Sequence, residues 1–417
     1  GPPTPSGRLP RWLAPLAAAW RAVRRRPKAA GEDRQAAAPP EGAFVPPGCD
    51  AETDEGDEGL DPFGESLEEG FWCPERLKDR SREVVEEVNL WHYAMINDEG
   101  RSRFYWEALK GQVEGKRVLD LGAGSGLLSM MAAKQGAEDV VALEANSDLV
   151  ELAELNVQRN GLEDKVQVVH TLSSSVECED GELVDVIVSE TLGTLLNGES
   201  TIDYLADARE RLAHPGAKVI PAGGIQCCVL VASPSLARLT GLQSGAQSCH
   251  GLDLSAVDCL RDTAQAISPN AWGLRLPDLA DLVLMSERLE LYELDFSEST
   301  REDIPLERTY PLVALHDGVV HAVVATWEVW SDPARTNQIS THLPDGGGQQ
   351  PRAWTVQDAH FSQALQVVED VQKASSDPEV GPVPFEVRKG ERLLLRARHN
   401  KSRTNVQFEL SRAPREE

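Results

Sequence analysis

Two short loops hold the residues best suited to chemistry. The first, residues 117–127, reads Arg-Val-Leu-Asp-Leu-Gly-Ala-Gly-Ser-Gly-Leu. An apolar, strand-like run enters Gly122, Gly124 and Gly126, and a helical period starts at once, so the glycines let the backbone approach a ligand at a helix N-terminus. The spacing is Gly-x-Gly-x-Gly rather than the Gly-x-Gly-x-x-Gly of dinucleotide sites, and the loop holds no basic residue for a pyrophosphate. Asp120, two residues before the first glycine, is placed to orient the loop and to face an amino-acid ammonium. Glu144 ends the next apolar run, 18 residues past Gly126, where a carboxylate accepts hydrogen bonds from both ribose hydroxyls. Together these features favour S-adenosylmethionine over NAD. An ordinary tight turn would leave the third glycine and Glu144 without a purpose.

The second loop, residues 189–199, reads Ser-Glu-Thr-Leu-Gly-Thr-Leu-Leu-Asn-Gly-Glu. Glu190 falls just past an apolar run, Val184–Ser189, and ligands of open α/β sheets sit outside the carboxyl ends of strands. Glu199 returns after an apolar, hairpin-like loop. Two carboxylates brought together there suit a planar cation with several N–H donors, a guanidinium. Without such a cation, two buried like charges would raise one pKa. On spacing alone, Glu199 capping a helix near Tyr204 is an equal alternative.

These loops need a frame that sets them side by side. Val84 to Leu109 has a helical period with a polar break near Asn97. Strands are predicted at 117–121, 140–144, 166–170 and 184–189, alternating with helices at 127–134, 149–160 and about 204–212. That alternation means a parallel sheet with helices on both faces. The pattern breaks at Pro215-Gly216. Beyond it, strand-like runs at 219–220, 225–232, 282–296, 312–315, 319–330, 361–371, 391–399 and 405–411 mostly lack intervening helices, which predicts an antiparallel β domain from about residue 217. We therefore expect an α/β plus all-β chain: a disordered region over 1–80, a Rossmann-like cofactor-binding domain with N-terminal helices over 81–216, and the β domain over 217–417.

Bulk composition narrows the partners. Of 417 residues, 68 are Asp or Glu and 41 Lys or Arg, a formal net charge of -27. Such a surface repels nucleic-acid phosphates and anionic lipid and attracts basic protein segments, although acidity for solubility alone explains it too. The seven cysteines (Cys49, Cys73, Cys178, Cys227, Cys228, Cys249 and Cys259) are scattered and lack metal-ligand spacing. They suit a reducing compartment, cytoplasmic and/or nuclear, and no metal site is expected. No apolar run approaches the roughly 18 residues that span a bilayer. Residues 1–31 carry seven Lys or Arg and no acid, whereas 50–69 are rich in Asp and Glu. The first stretch fits an organelle transit or membrane-surface segment, or a plain basic tail; the second reads as solvating chain. The chain begins at Gly1, so the natural start is expected upstream.

With both loops in hand, the chain resembles the protein arginine N-methyltransferase family over about residues 84–417. In that family two glutamates bracket a hairpin loop nine positions apart, as Glu190 and Glu199 do. Residues 91–101, Trp-His-Tyr-Ala-Met-Ile-Asn-Asp-Glu-Gly-Arg, resemble the segment that folds over the cofactor. The resemblance implies that Arg101 binds the methionine carboxylate, that Met95 packs near the sulfonium and that His92 shapes the cofactor site. Asp120, Gly122, Gly124 and Glu144 match the cofactor motif, and Ser173 or Ser174 falls where adenine is contacted. Asp358-Ala359-His360-Phe361 resembles the Thr-His-Trp loop of the family's β-barrel, with His360 paired to Asp98. It further implies arginine-rich substrates of the histone or RNA-binding-protein kind, and a homodimer formed through an insertion at about 233–280. Thr191 stands where the asymmetric dimethylating members have Trp. The 91–101 segment, the Asn197-Gly198-Glu199 turn and His250–Ser255 look closest to the seventh and ninth members, which make monomethyl or symmetric dimethyl arginine. Those carry two modules and this chain one. A methyltransferase for another acceptor, or a scaffold of the same fold, is the competing reading.

Overall fold

The computed structural model describes residues 74–414 apart from 78–79, 89–91, 177–182, 243–251, 253, 270–273, 344–361 and 378. The expected basic and acidic stretches before residue 70 and the His360 loop thus lie outside the described residues.

The predicted N-terminal helical stretch is three helices: α1 (Arg82–Glu87), α2 (Tyr93–Asn97) and α3 (Glu99–Leu109). The break near Asn97 is Asp98, which leaves the helical region of backbone space and caps α3 by accepting from the Arg101 N–H at 2.8 Å. An Asp there satisfies a backbone donor that the first helical turn cannot. Then come β1 (Arg117–Leu121), α4 (Leu127–Lys134), β2 (Asp139–Glu144), α5 (Ser147–Arg159), β3 (Val166–His170), β4 (Val184–Ser189), α6 (Thr201–Arg211) and β5 (Ala213–Ile220). The strands form one parallel sheet in the order β3-β2-β1-β4-β5. β1 and β4 are adjacent although β2 and β3 separate them in sequence, so the chain reverses direction across the sheet between them. Their carboxyl ends mark the crevice where such sheets bind ligands.

One expectation is corrected here. β5 runs through Pro215-Gly216, where a break was predicted, and pairs parallel with β4 as far as Ile220. The parallel sheet therefore continues past the boundary drawn at 216. Pro is tolerated because β5 is an edge strand and because its register against β4 shifts here, from Ala213 opposite Val184 to Lys218 opposite Val186, leaving 214–217 outside the ladder.

The second part is antiparallel. β6 (Gly223–Ala232) and β11 (Ala322–Trp330) pair along their whole lengths at the centre of a six-stranded sheet with β7 (Val283–Leu284), β8 (Leu289–Asp295), β12 (Gln338–Ser340) and β13 (Ala364–Val367). β9 (Glu307–Val313), β15 (Arg392–His399) and β16 (Val406–Arg412) form a three-stranded sheet, and β10 (Gly318–Val320) pairs with β14 (Phe385–Val387). This is the Rossmann-like sheet followed by an antiparallel barrel-type domain. Alternate residues of β6 enter different cores. Cys228 and Leu230 join a large cluster that also contains the parallel sheet, while Val229 and Val231 join Leu236, Leu276, Val324 and Leu365 on the other face. Burial on both faces explains why β6 is almost continuously apolar, unlike a half-solvated antiparallel strand. The outer face is covered by the segment between β6 and β7, which includes α7 (Pro234–Thr240). Among the described residues, no helix is long and apolar enough to cross a membrane.

Candidate active site

β1 and β4 are in register with Leu121 opposite Ser189. Gly122 and Glu190, the next residue of each strand, therefore leave the sheet side by side. Both predicted loops rise from the one switch point.

The glycine loop has the backbone its sequence demands. Gly122, Gly124 and Gly126 all take positive φ (72°, 52° and 82°), which an L side chain rarely adopts. Gly126 is the N-cap of α4, and a side chain there would start 3.4 Å from the Ala153 Cβ of α5. Glu144 closes the loop from β2: its Oε2 accepts from the Gly124 N–H at 2.8 Å and its Oε1 from the Asn146 N–H at 2.8 Å. Each oxygen keeps a lone pair for a further donor. His92 is buried, with Nε2 about 4.0 Å from where a Gly124 side chain would begin. Met95 is half-buried on α2. After β3, Ser173 is buried and its carbonyl accepts from Arg211 at 2.9 Å; Ser174 is half-buried beside it.

Asp120 is fully buried beneath the loop. Ser129 Oγ donates to its Oδ2 at 2.5 Å, while its Oδ1 has no hydrogen-bond partner. Burial pushes the carboxyl up to about 6, against the pull of the Ser129 hydrogen bonds.

Glu190 meets Arg101. The guanidinium donates from Nε at 2.9 Å and from Nη2 at 2.5 Å to the same carboxylate oxygen, Oε2, and the two side chains are 4% and 5% exposed. Burial penalises both charges. At Arg101 burial is the largest influence, but Glu190, Tyr105 and Asp98 together outweigh it and hold the guanidinium above its usual value; at Glu190 burial prevails and the carboxyl is raised. Arg101 Nη1 is buried without a partner. Glu190 Oε1 accepts the Leu192 N–H at 3.3 Å. Asp98, also buried, is within electrostatic range of both.

The structure thus brings Asp98, Arg101, Asp120, Glu190 and the Gly122–Gly126 loop together. It does not seat Glu199 beside Glu190 in one buried pair. Glu199 follows the turn over residues 196–199 and is exposed, its Cγ 3.5 Å from where a Gly193 side chain would start. The residue that caps α6 is Ser200, not Glu199.

Several contributors escaped the sequence reading. Tyr105 is fully buried on α3, and its hydroxyl donates to the Ser189 carbonyl at 3.1 Å. The β domain grips the Glu190 loop: Trp327 Nε1 donates to the Gly193 carbonyl at 2.9 Å, and Gln226 Oε1 accepts from the Leu196 N–H at 2.8 Å. The amphipathic spacing of α3 signals Tyr105 as buried but not as a site contact. Trp327 and Gln226 lie over 130 and 30 residues from their partners, and one sequence carries no sign of either pairing. No cluster of three metal-binding side chains occurs among the described residues.

Residues 105–226 match the family model described as ribosomal protein L11 methyltransferase (PrmA). The chain is 29% identical over 338 residues to protein arginine N-methyltransferase 7 of Oryza sativa subsp. japonica, an alignment covering 76% of this chain and 44% of that protein. It is 32% identical over 246 residues to an arginine N(omega)-methyltransferase of Streptomyces achromogenes subsp. streptozoticus, covering 58% of this chain and 64% of that one. The chain spans less than half the length of the rice relative. Among solved structures, the Trypanosoma brucei PRMT1 enzyme-prozyme heterotetrameric complex with AdoHcy shares the fold, with a TM-score of 0.58 at 20% identity over 78% of this chain and 93% of that one. The crevice loops and these likenesses agree: over about three quarters of its length the chain is similar to protein arginine N-methyltransferases.

Proposed function

We propose that the protein transfers a methyl group from S-adenosylmethionine to a guanidinium nitrogen of arginine in proteins, giving monomethyl or symmetric dimethyl arginine. One observation supports the cofactor most directly. The crevice buries an acceptor without a donor, Asp120 Oδ1, and a donor without an acceptor, Arg101 Nη1, close enough that the Arg101 charge pulls the Asp120 carboxyl downward. Orphaned buried polar atoms are costly. An α-amino-acid head, with its ammonium and carboxylate, satisfies both at once. Glu144 is placed for ribose hydroxyls, Gly122 and Gly124 for close backbone approach, Gly126 for the start of α4, and Ser173 or Ser174 for adenine. His92 and Met95 line the cofactor's side from α2.

When bound, S-adenosylmethionine supplies an electrophilic methyl group on a sulfonium. Glu190 does the positioning: Oε2 is held by Arg101, and Oε1 keeps a lone pair for a substrate N–H. A guanidinium has a pKa above 12, so prior removal of its proton by a carboxylate is unfavourable. The rate then rests on holding one terminal nitrogen in line with the methyl, and on a carboxylate that stabilises the charge left behind. As the nitrogen–carbon bond forms, the sulfur–carbon bond breaks. The nitrogen's proton passes to Glu199 or through Asp98 and His360.

Arginine-rich segments, as in histones and RNA-binding proteins, suit a chain with net charge -27. We further infer a homodimer through the segment after β6. Leu239, Leu242, Leu252, Leu254, Val257 and Leu260 are all exposed there, a concentration of apolar surface that marks an interface. Buried free thiols at Cys227 and Cys228 support a reducing compartment, cytoplasmic and/or nuclear.

The test is incubation with labelled S-adenosylmethionine and arginine-rich peptides, Lys-substituted peptides and free arginine, followed by hydrolysis and amino-acid analysis. Free arginine is included because the Streptomyces relative's name does not confine its acceptor to proteins. Methylarginine in peptides, lost with Lys substitution, supports the proposal, and its isomer identifies the product. Cofactor binding without transfer to any arginine overturns it in favour of another acceptor or a scaffold.

A further inference from the structure

The loop that carries Glu190 is threaded by three hydroxyls. Ser189 Oγ donates to the Leu121 carbonyl at 3.0 Å, at the last residue of β1. Thr201 Oγ1, on the first residue of α6, donates to the Thr191 carbonyl at 2.5 Å. Thr191 Oγ1 lies between them, 3.2 Å from Ser189 Oγ and 3.3 Å from Thr201 Oγ1. Each hydroxyl has one proton. With Thr191 donating to Thr201 and Thr201 to the Thr191 carbonyl, the contact between Ser189 and Thr191 draws on the Ser189 proton, which is shared between the Leu121 carbonyl and Thr191 Oγ1. The chain crosses from the end of β1, past the end of β4, to the start of α6, and it brackets Glu190 on both sides. Ser189 and Thr201 are 2% and 3% exposed, so water does not compete for these bonds.

Thr191 also sets a distance. Its Cγ2 methyl stands 3.0 Å from the point where a side chain on Gly122 would begin. Its methyl therefore touches the cofactor loop while its hydroxyl anchors the Glu190 loop. The two atoms that differ between Thr and its isosteres act on different neighbours.

We propose that Thr191 is a positioning residue, which holds Glu190 at a fixed offset from the cofactor loop through the Ser189–Thr191–Thr201 hydroxyl chain. This rests on the function proposed above: the offset matters because it fixes the acceptor nitrogen relative to the methyl group. A misplacement on the order of 1 Å costs about 100-fold in rate, whereas affinity for either substrate depends on contacts Thr191 does not make.

The experiment compares Thr191→Val, which keeps the methyl and removes the hydroxyl, with Thr191→Ser, which does the reverse, and with Thr201→Val. Steady-state kinetics on an arginine peptide, S-adenosylhomocysteine affinity and amide exchange at residues 189–193 are measured for each. Thr191→Val and Thr201→Val are expected to lower kcat by about tenfold or more, with KM and S-adenosylhomocysteine affinity changed by less than about threefold. Thr191→Ser keeps the chain and retains more kcat than either. Faster exchange at 189–193 accompanies the loss. Unchanged kcat and exchange in Thr191→Val overturn the inference, as does a Thr191→Ser enzyme no faster than Thr191→Val. The exchange readout needs no acceptor. If the parent methylates no arginine, the functional assignment fails, while unchanged exchange in Thr191→Val would separately remove the hydroxyl chain.

Discussion

The carboxyl of Asp120 offers the sharpest quantitative test. It lies under the glycine loop with no exposed surface, and burial raises it from 3.8 to about 6. At about 1.4 kcal/mol for each pH unit, the buried charge costs the ligand-free protein about 3 kcal/mol above pH 6. The sign follows from proton counts. Between pH 4 and 6 the unfolded chain has already released this proton and the folded chain retains it, so stability falls as pH rises through that window and is level above it. Asp120→Asn removes the titration while keeping an acceptor for Ser129 Oγ. The variant should gain up to about 3 kcal/mol at pH 7–8 relative to the parent, shrinking toward nothing near pH 4. Ligand binding has the opposite pH dependence, because an ammonium requires the ionised carboxylate. S-adenosylhomocysteine affinity of the parent should fall about tenfold for each pH unit below about 6, while that of Asp120→Asn is weaker at pH 8 and flat over the same range. Chemical denaturation and calorimetric titration from pH 4.5 to 8 measure both. A parent and variant with parallel stability profiles would refute the argument from burial. A flat affinity profile in the parent would refute the pairing of Asp120 with the cofactor's ammonium.

Glu190→Gln leaves the nearly inaccessible Arg101 guanidinium without its counter-charge, and should lower the unfolding free energy by about 3 kcal/mol in denaturant titrations. It should also abolish transfer to arginine while S-adenosylhomocysteine still binds; joint loss of binding and turnover would contradict the division of roles. Gly126→Ala places a side chain at φ +82°, 3.4 Å from Ala153 Cβ, and should cost about 1–2 kcal/mol by thermal unfolding, with cofactor affinity reduced. Leu254→Asp with Leu260→Asp changes two exposed side chains; light scattering should show the parent as a dimer and the variant shifted to monomer with its melting temperature little changed, and a monomeric parent would end the dimer proposal.

What the sequence reveals here follows from range. The parallel sheet was legible because each strand–turn–helix unit is local: an apolar run, then glycine, then a 3.6-residue period. The glycines were legible for the same reason, since positive φ is a single-residue requirement. At Pro215-Gly216 the break signal was local and real, since the β4–β5 register shifts there, but the resumption of parallel pairing at Lys218 depends on a neighbouring strand that the local sequence does not show. The partner of Glu190 was also beyond reach. Arg101 lies 89 residues away, and its most evident use was as a ligand for a carboxylate on the cofactor. Spacing instead pointed to Glu199, which the structure leaves exposed.

That ion pair links the two halves of the proposed chemistry. Asp98 caps α3 so that Arg101 enters the crevice one turn into the helix; Arg101 then fixes Glu190 through one carboxylate oxygen and keeps Nη1 for a second anion. A Lys at 101 would fill the same charge but has no planar fork with which to face two carboxylates from fixed directions. The cost of burying three charges, Arg101, Glu190 and Asp120, without full hydrogen bonding is the kind of local instability that folded chains rarely keep without a ligand to relieve it. Its position at the β1–β4 switch point, where backbone donors already converge, makes a zwitterionic ligand the simplest relief.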